Sequence, residues 1–147
     1  MRVENILPLA VQRLITIQAN ASLADAAKLL GETHRALLVV CDPEGVMVGV
    51  ITKTDVVRQV ARNQENLNVI TAAAAMTSEV TFCRPGDLVH DVLATMKERG
   101  LVHIPVIDER CRPSGVVNAR DALQALLSDV MDEGLLLRAY VMGIGYR

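Results

Sequence analysis

The sequence has no tryptophan, one phenylalanine and two tyrosines, so aromatic rings make up 2% of its 147 residues. Bases of RNA and of single strands stack on aromatic platforms, and a chain this poor in rings does not supply them. A basic run is also missing. Fifteen Lys and Arg against 17 Asp and Glu give a net charge of -2, and the arginines are scattered singly, so neither nucleic acid nor an anionic membrane is attracted. No uninterrupted apolar run approaches the roughly 20 residues that cross a bilayer. The opening MRVENILPLA carries Glu4 and Pro8 inside its apolar stretch, with no small-residue cleavage site after it. A cytoplasmic protein is expected, with no membrane and no nucleic-acid partner.

Cys41, Cys83 and Cys111 lie at wide, unpatterned spacing that fits neither a disulfide framework nor a CxxC pair, and they read as reduced, small apolar residues. No two histidines share metal-ligand spacing, and no Ser/His/Asp or Cys/His grouping suggests a nucleophile, so neither metal nor catalysis is expected. What is present is a 51% hydrophobic, 22% charged chain, the balance of a globular domain long enough to bury a core.

The sequence repeats. LITIQANASLADAAKLLGETHRALLVVCDPEGVMVGVITKTDVVRQV is followed by EVTFCRPGDLVHDVLATMKERGLVHIPVIDERCRPSGVVNARDALQAL. Val80 stands 65 positions after Ile15, and Gly115 and Asp121 stand 66 positions after Gly49 and Asp55. A shared offset over many landmarks is the signature of duplication.

Each copy predicts the same elements. Short strands fall near 14–18 and 79–83, and Ser22 and Asp87 are suited to cap the helices that follow. Leu23, Ala26, Ala27 and Leu30, then Val89, Val92, Leu93 and Met96, recur at helical spacing. ALLVVC and LVHIPVI suit strands covered on both faces, and turn residues then lead to VMVGVIT and GVVN, so a hairpin is the economical connection. A second helix opens near Asp55 or Asp121, with Val56, Val57 and Val60, or Leu123, Leu126 and Leu127, on its inner face. The expected fold is mixed α+β: two βαββα units packed by their sheets, since one unit alone has a thin core. The first unit with its N-terminal segment spans 1–68, the second 69–128, and a helical tail 129–147. In that tail Met131, Leu135, Leu136, Ala139 and Met142 form an amphipathic pattern that suits its own module and a partner equally.

Matching clusters open the second helices: Gly49-Val-Ile-Thr52-Lys53-Thr54-Asp55 and Gly115-Val-Val-Asn118-Ala-Arg120-Asp121. Thr52-x-x-Asp55 is also a capping pattern that would do no more than satisfy helix N–H groups. Its repetition, with Lys53 or Arg120 inside the turn, points to binding. A helix start offers free N–H donors to a phosphate beside the hydroxyl and the lysine, while the carboxylate suits the vicinal hydroxyls of a ribose.

With HIPVID in the second copy, this pattern resembles the tandem cystathionine-β-synthase (CBS) domain pair over nearly the whole chain, as in stand-alone bacterial signal-transduction proteins. The resemblance implies a module that binds AMP, ADP, ATP, NAD or a similar adenosine ligand in clefts between the units, as a homodimer of pairs. It implies that Thr52 contacts phosphate and Asp55 ribose in one site, with Asn118 and Asp121 in the other. It further implies that adenine is held by Thr16 and Ile17 with Leu37 and Leu38, and by Thr81 with His103, Ile104 and Pro105. Asn118 replaces the usual Thr or Ser, and Val39 stands where the second copy has Pro105, so the two clefts should differ.

Arg58, Arg84 and Arg99 read as surface charges, and His34 and His90 as solvated. His103 is balanced between a ligand contact and a satisfied core residue. The function expected is a sensor without catalytic activity whose nucleotide alters the two units and signals to an effector protein. The alternative is a structural or assembly dimerisation module with no nucleotide, in which both caps are only caps.

Overall fold

The computed structural model describes residues 1–63 and 66–142, with side chains left out for 63 and 131–142. A 3-10 turn at Val3–Ile6 leads into α1 (Leu7–Gln12). The first copy follows as β1 (Thr16–Gln18), α2 (Leu23–Thr33), β2 (Leu37–Cys41), β3 (Met47–Thr52) and α3 (Lys53–Asn63). After the short helix α4 (Ala72–Ala75) come α5 (Val89–Arg99), β4 (His103–Ile107), β5 (Pro113–Asn118) and α6 (Ala119–Met142). This is the expected mixed α+β architecture. No helix among the described residues is long and apolar enough to cross a membrane.

The two copies are built alike up to specific residues. Ser22 caps α2 by accepting the Asp25 N–H at 3.0 Å. Asp87, expected to cap α5, instead turns back to accept the Arg84 N–H at 2.9 Å, and α5 starts at Val89 without a side-chain cap. In the first sheet β1 pairs parallel with β2 and β2 antiparallel with β3. The strand expected at 79–83 shrinks to one bridge, Cys83 to Val106, beside the antiparallel pair β4–β5. Pro105 explains the loss. Val39 donates its N–H to the Ile15 carbonyl at 2.9 Å, whereas Pro105 at the matching position has none to give and only accepts from Cys83.

Leu37, Val39 and Val50 of the first sheet bury against Val116 of the second, so the sheets meet across a shared apolar seam. Outside the seam each half has its own core, and the segments that complete them are crossed. Val3, Ile6 and Ala10 join the core of the second copy with Val89, Met96 and Val106. Ala72 and Ala75 join that of the first, with Leu23, Leu38 and Ile51. Two glycines permit these approaches. A Cβ on Gly49 would lie 2.5 Å from Met76 Sδ, and one on Gly115 2.8 Å from the Ala10 backbone.

The inner faces expected of α3 and α6 are narrower than their apolar stripes. Val56 and Leu126 pack on the two cores, but Val57, Val60, Leu123 and Leu127 are exposed. The apolar pattern of the tail from Met131 onward lies outside the described side chains.

Candidate functional site

Two clefts open where the start of α3 or α6 in one copy faces a strand of the other. The first, about 480 Å³, has Val50, Thr52 and Asp55 on one side and Val80, Thr81, Val102 and Pro105 on the other. The second, about 390 Å³, has Asn118, Arg120 and Val116 facing His34, Arg35 and Ala36, with Arg13 at its wall. Ala36, Leu37, Val102 and His103 belong to both. Neither cleft contains a Phe, Tyr or Trp ring, so a flat ligand would lie between aliphatic side chains.

At the first helix start Asp55 is 97% buried, with a relative exposure of 3%. One carboxylate oxygen, Oδ2, accepts the Thr52 N–H at 2.9 Å and the Thr52 hydroxyl at 3.1 Å. Oδ1 accepts the Thr77 hydroxyl at 2.9 Å and Arg58 Nη1 at 3.2 Å. The acid reaching back to the residue before the helix is the return half of a capping box, and its donors remove the cost of burying a charge. Arg58 is therefore more than a surface charge, although half of its side chain stays in solvent.

The second start is wired differently. Asn118 Oδ1 accepts the Asp121 N–H at 3.0 Å, an N-cap in the forward direction. That orients the Asn118 amide nitrogen toward His103 Nε2, 2.9 Å away. With capping done by the amide, the Asp121 carboxylate turns to Arg13, whose Nε and Nη2 lie 2.6 and 3.2 Å from its two oxygens. Burial lowers the His103 pKa below its ordinary value, and the Arg13 and Arg35 guanidinium groups push the same way while Asp121 opposes them.

The residues singled out in the sequence are thus partly gathered. Leu37, Thr52, Asp55, Thr81, His103 and Pro105 line the first cleft, and Leu37, His103, Asn118 and Arg120 the second. Asp121 sits behind the second cleft on Arg13. Lys53 is exposed and lines neither, and Thr16 is exposed on β1 away from both. Ile17, Leu38 and Ile104 are buried within the cores of the halves. Arg13, Arg35, Thr77 and Glu79 were not singled out. Arg13 and Thr77 lie 64 positions apart, within one residue of the repeat offset, and that is the signal that pairs them. Among the described residues no group of His, Cys, Asp and Glu could hold a metal ion.

The model of the CBS domain family matches residues 3–62 and again 72–128. A 17.7 kDa protein of Acidianus ambivalens is 30% identical over 119 residues, covering 81% of this chain and 71% of its own length. The L-aspartate semialdehyde sulfurtransferase of Methanocaldococcus jannaschii is 30% identical over 107 residues, which are 73% of this chain and 20% of the enzyme. Among solved structures, a CBS domain pair in complex with 5′-methylthioadenosine and S-adenosyl-L-methionine superposes with a TM-score of 0.73 at 26% identity, covering 88% of this chain and 98% of that one. A CBS-domain protein of Agrobacterium tumefaciens superposes with a TM-score of 0.72 at 25% identity, over 85% and 98% of the two chains.

Proposed function

The chain belongs to the CBS-domain family, as two such units in tandem, and from that premise we propose that it is a regulatory sensor of an adenosine-bearing ligand. The observation that carries this reading is Asp55: a carboxylate 3% exposed, ringed by the hydroxyls of Thr52 and Thr77, at the wall of a cleft to which both copies contribute. Those hydroxyl bonds can be exchanged for the 2′- and 3′-hydroxyls of a ribose without leaving the charge unpaired, because the Thr52 N–H and Arg58 remain. AMP, ADP, ATP and NAD fit that description. The similar domain pair holding 5′-methylthioadenosine and S-adenosyl-L-methionine supports the adenosine class.

A ligand in the first cleft touches both halves at once, so it can change their relative angle or rigidity. The signal requires the ligand to bind one arrangement more tightly than another. A protein acting in the cytoplasm, paired with a second copy and read by an effector protein, follows from this role. The exposed Val57 of α3 and Leu123 of α6 occupy corresponding places in the two copies, and together with the exposed Val60 and Leu127 they favour a homodimer that buries them.

Calorimetry of the full chain with AMP, ADP, ATP, NAD and 5′-methylthioadenosine tests the reading. Binding of at least one is expected, with Asp55→Ala weakening the ribose form by about 1.5–3 kcal/mol and its 2′-deoxy analogue less. Absence of any binding, with the oligomer intact, would leave the assembly module as the function.

A further inference from the structure

The two antiparallel strand pairs set corresponding residues directly opposite one another: Leu37 faces Thr52 in the first copy, and His103 faces Asn118 in the second. Leucine has no polar atom to offer the threonine. In the second copy both positions carry polar groups, and Asn118 Nδ2 lies 2.9 Å from His103 Nε2. Only one orientation of the amide serves both of its neighbours. Asn118 Oδ1 accepts the Asp121 N–H at 3.0 Å, so the amide nitrogen, a donor only, points to the imidazole. His103 must then accept through Nε2 and carry its ring proton on Nδ1. A protonated ring has a hydrogen on both nitrogens, and Nε2–H would meet the amide N–H donor to donor. The conflict is relieved when the amide turns over and gives Oδ1 to the imidazolium. The Asp121 N–H, in the first turn of α6, loses its acceptor in the same movement.

We propose that His103 and Asn118 form a proton-operated switch at the start of α6: the neutral imidazole locks the Asn118 amide as the helix cap, and the imidazolium turns it over and releases the cap. His103 stands in the wall common to both clefts and Asn118 in that of the second, so the movement changes the lining of each. The charged and titratable groups around the ring set where the switch operates. Arg13, Arg35, Arg120 and His34 line the second cleft with it, and Asp121 lies behind on Arg13. On the side of the first cleft stand Glu79 and Asp55, the latter held by Arg58, while Arg99 reaches the Thr81 hydroxyl at 2.9 Å. Burial, with Arg13 and Arg35, outweighs Asp121 and keeps the imidazole neutral to below its ordinary pKa of 6.5. The cap is therefore closed at neutral pH and opens in acid. The switch needs no ligand, so it goes beyond the sensor reading and stands or falls apart from it.

The test is nitrogen NMR of the full chain, without added ligand, between pH 8 and pH 5. At pH 8 the His103 ring is expected to carry its proton on Nδ1, and it should titrate with a midpoint below 6.5. Protection of the Asp121 N–H against solvent exchange, measured against an unfolded reference at each pH, is expected to fall about fivefold across that midpoint, the worth of one helix cap. His103→Gln supplies an acceptor that gains no proton, and the fall should vanish. Asn118→Thr separates the steps: His103 still titrates, and Asp121 protection no longer follows it. A ring protonated on Nε2 at pH 8, a ring still neutral at pH 5, or Asp121 protection that holds through the His103 titration would each overturn the switch, as would the same fall in either variant. The parent chain alone decides the matter if a variant does not fold.

Discussion

Arg13 grips Asp121 with two nitrogens across 108 positions of sequence, in the place where Thr77 touches Asp55 with a single hydroxyl. The residue just ahead of each copy's first strand thus reaches the acid at the other copy's helix start. One contact is a paired ion bridge and the other a neutral donor that can rotate away, so the duplicated halves are no longer equivalent.

Arg13→Met is expected to cost about 1 kcal/mol in urea unfolding, a value discounted for the partial exposure of both side chains. Arg13→Lys should recover less than half of it, since an ammonium cannot reproduce the two-nitrogen fork. A lysine variant as stable as the parent would show that charge alone matters there.

Three glycines should respond in opposite directions. Gly49→Ala and Gly115→Ala would place a methyl under 3 Å from Met76 and from the Ala10 backbone, and each is expected to destabilise by ~1–3 kcal/mol. Gly31 lies inside α2 with nothing within 4 Å of an added Cβ, so Gly31→Ala is expected to stabilise by ~0.5–1 kcal/mol. Thermal melts of the three variants give the comparison.

Thiol labelling should count one fast cysteine per chain. Burial pushes the Cys83 thiol up to about 12, with the Asp87 charge adding to it, and raises Cys41 likewise with Asp42. Cys111 is exposed. At pH 8 a disulfide reagent should therefore modify one thiol rapidly and two only on unfolding. Two or three fast thiols in the native protein would contradict this.

Stability should depend on His103 below neutrality. Its folded pKa is lowered from 6.5 by burial and by Arg13 and Arg35, so the unfolded chain takes up the proton first as the pH falls. The contribution is complete above that ordinary value and is lost as the pH drops through 6.5 toward the lowered one. Urea midpoints measured between pH 7.5 and 5.5 should fall less steeply for His103→Gln, and an unchanged slope would remove the histidine from the account.

Paired substitutions Val57→Glu and Leu127→Glu should yield a monomer by light scattering if the exposed stripes of α3 and α6 are covered by a second copy. They should leave the fold intact, because both side chains are more than half exposed. A parent protein that is already monomeric would sink the homodimer.

Much of this was readable in the sequence because duplication prints the same instruction twice. The offset between Asp55 and Asp121 located both helix starts, and the apolar runs located the paired strands. Parity was not readable. β2 is buried on both faces, so nothing in LLVVC tells that Leu38 enters a core while Leu37 faces the clefts. Pairing across the copies was hidden as well. Arg13 precedes the first strand and its partner lies near the far end, so no local pattern joins them. Replacing Thr by Asn at position 118 looked like a weakened phosphate contact, yet its effect is to take over capping and so release the acid to Arg13.

The crossed cores impose an order on synthesis. Val3, Ile6 and Ala10 leave the ribosome well before the surfaces that receive them, at Met96, Val106 and Val117. Until those surfaces emerge this earlier stretch must wait without its destination, while Ala72 and Ala75 close the first core as soon as they appear. The vulnerable interval of the newborn chain therefore ends when the β4–β5 hairpin docks against the segment made long before it.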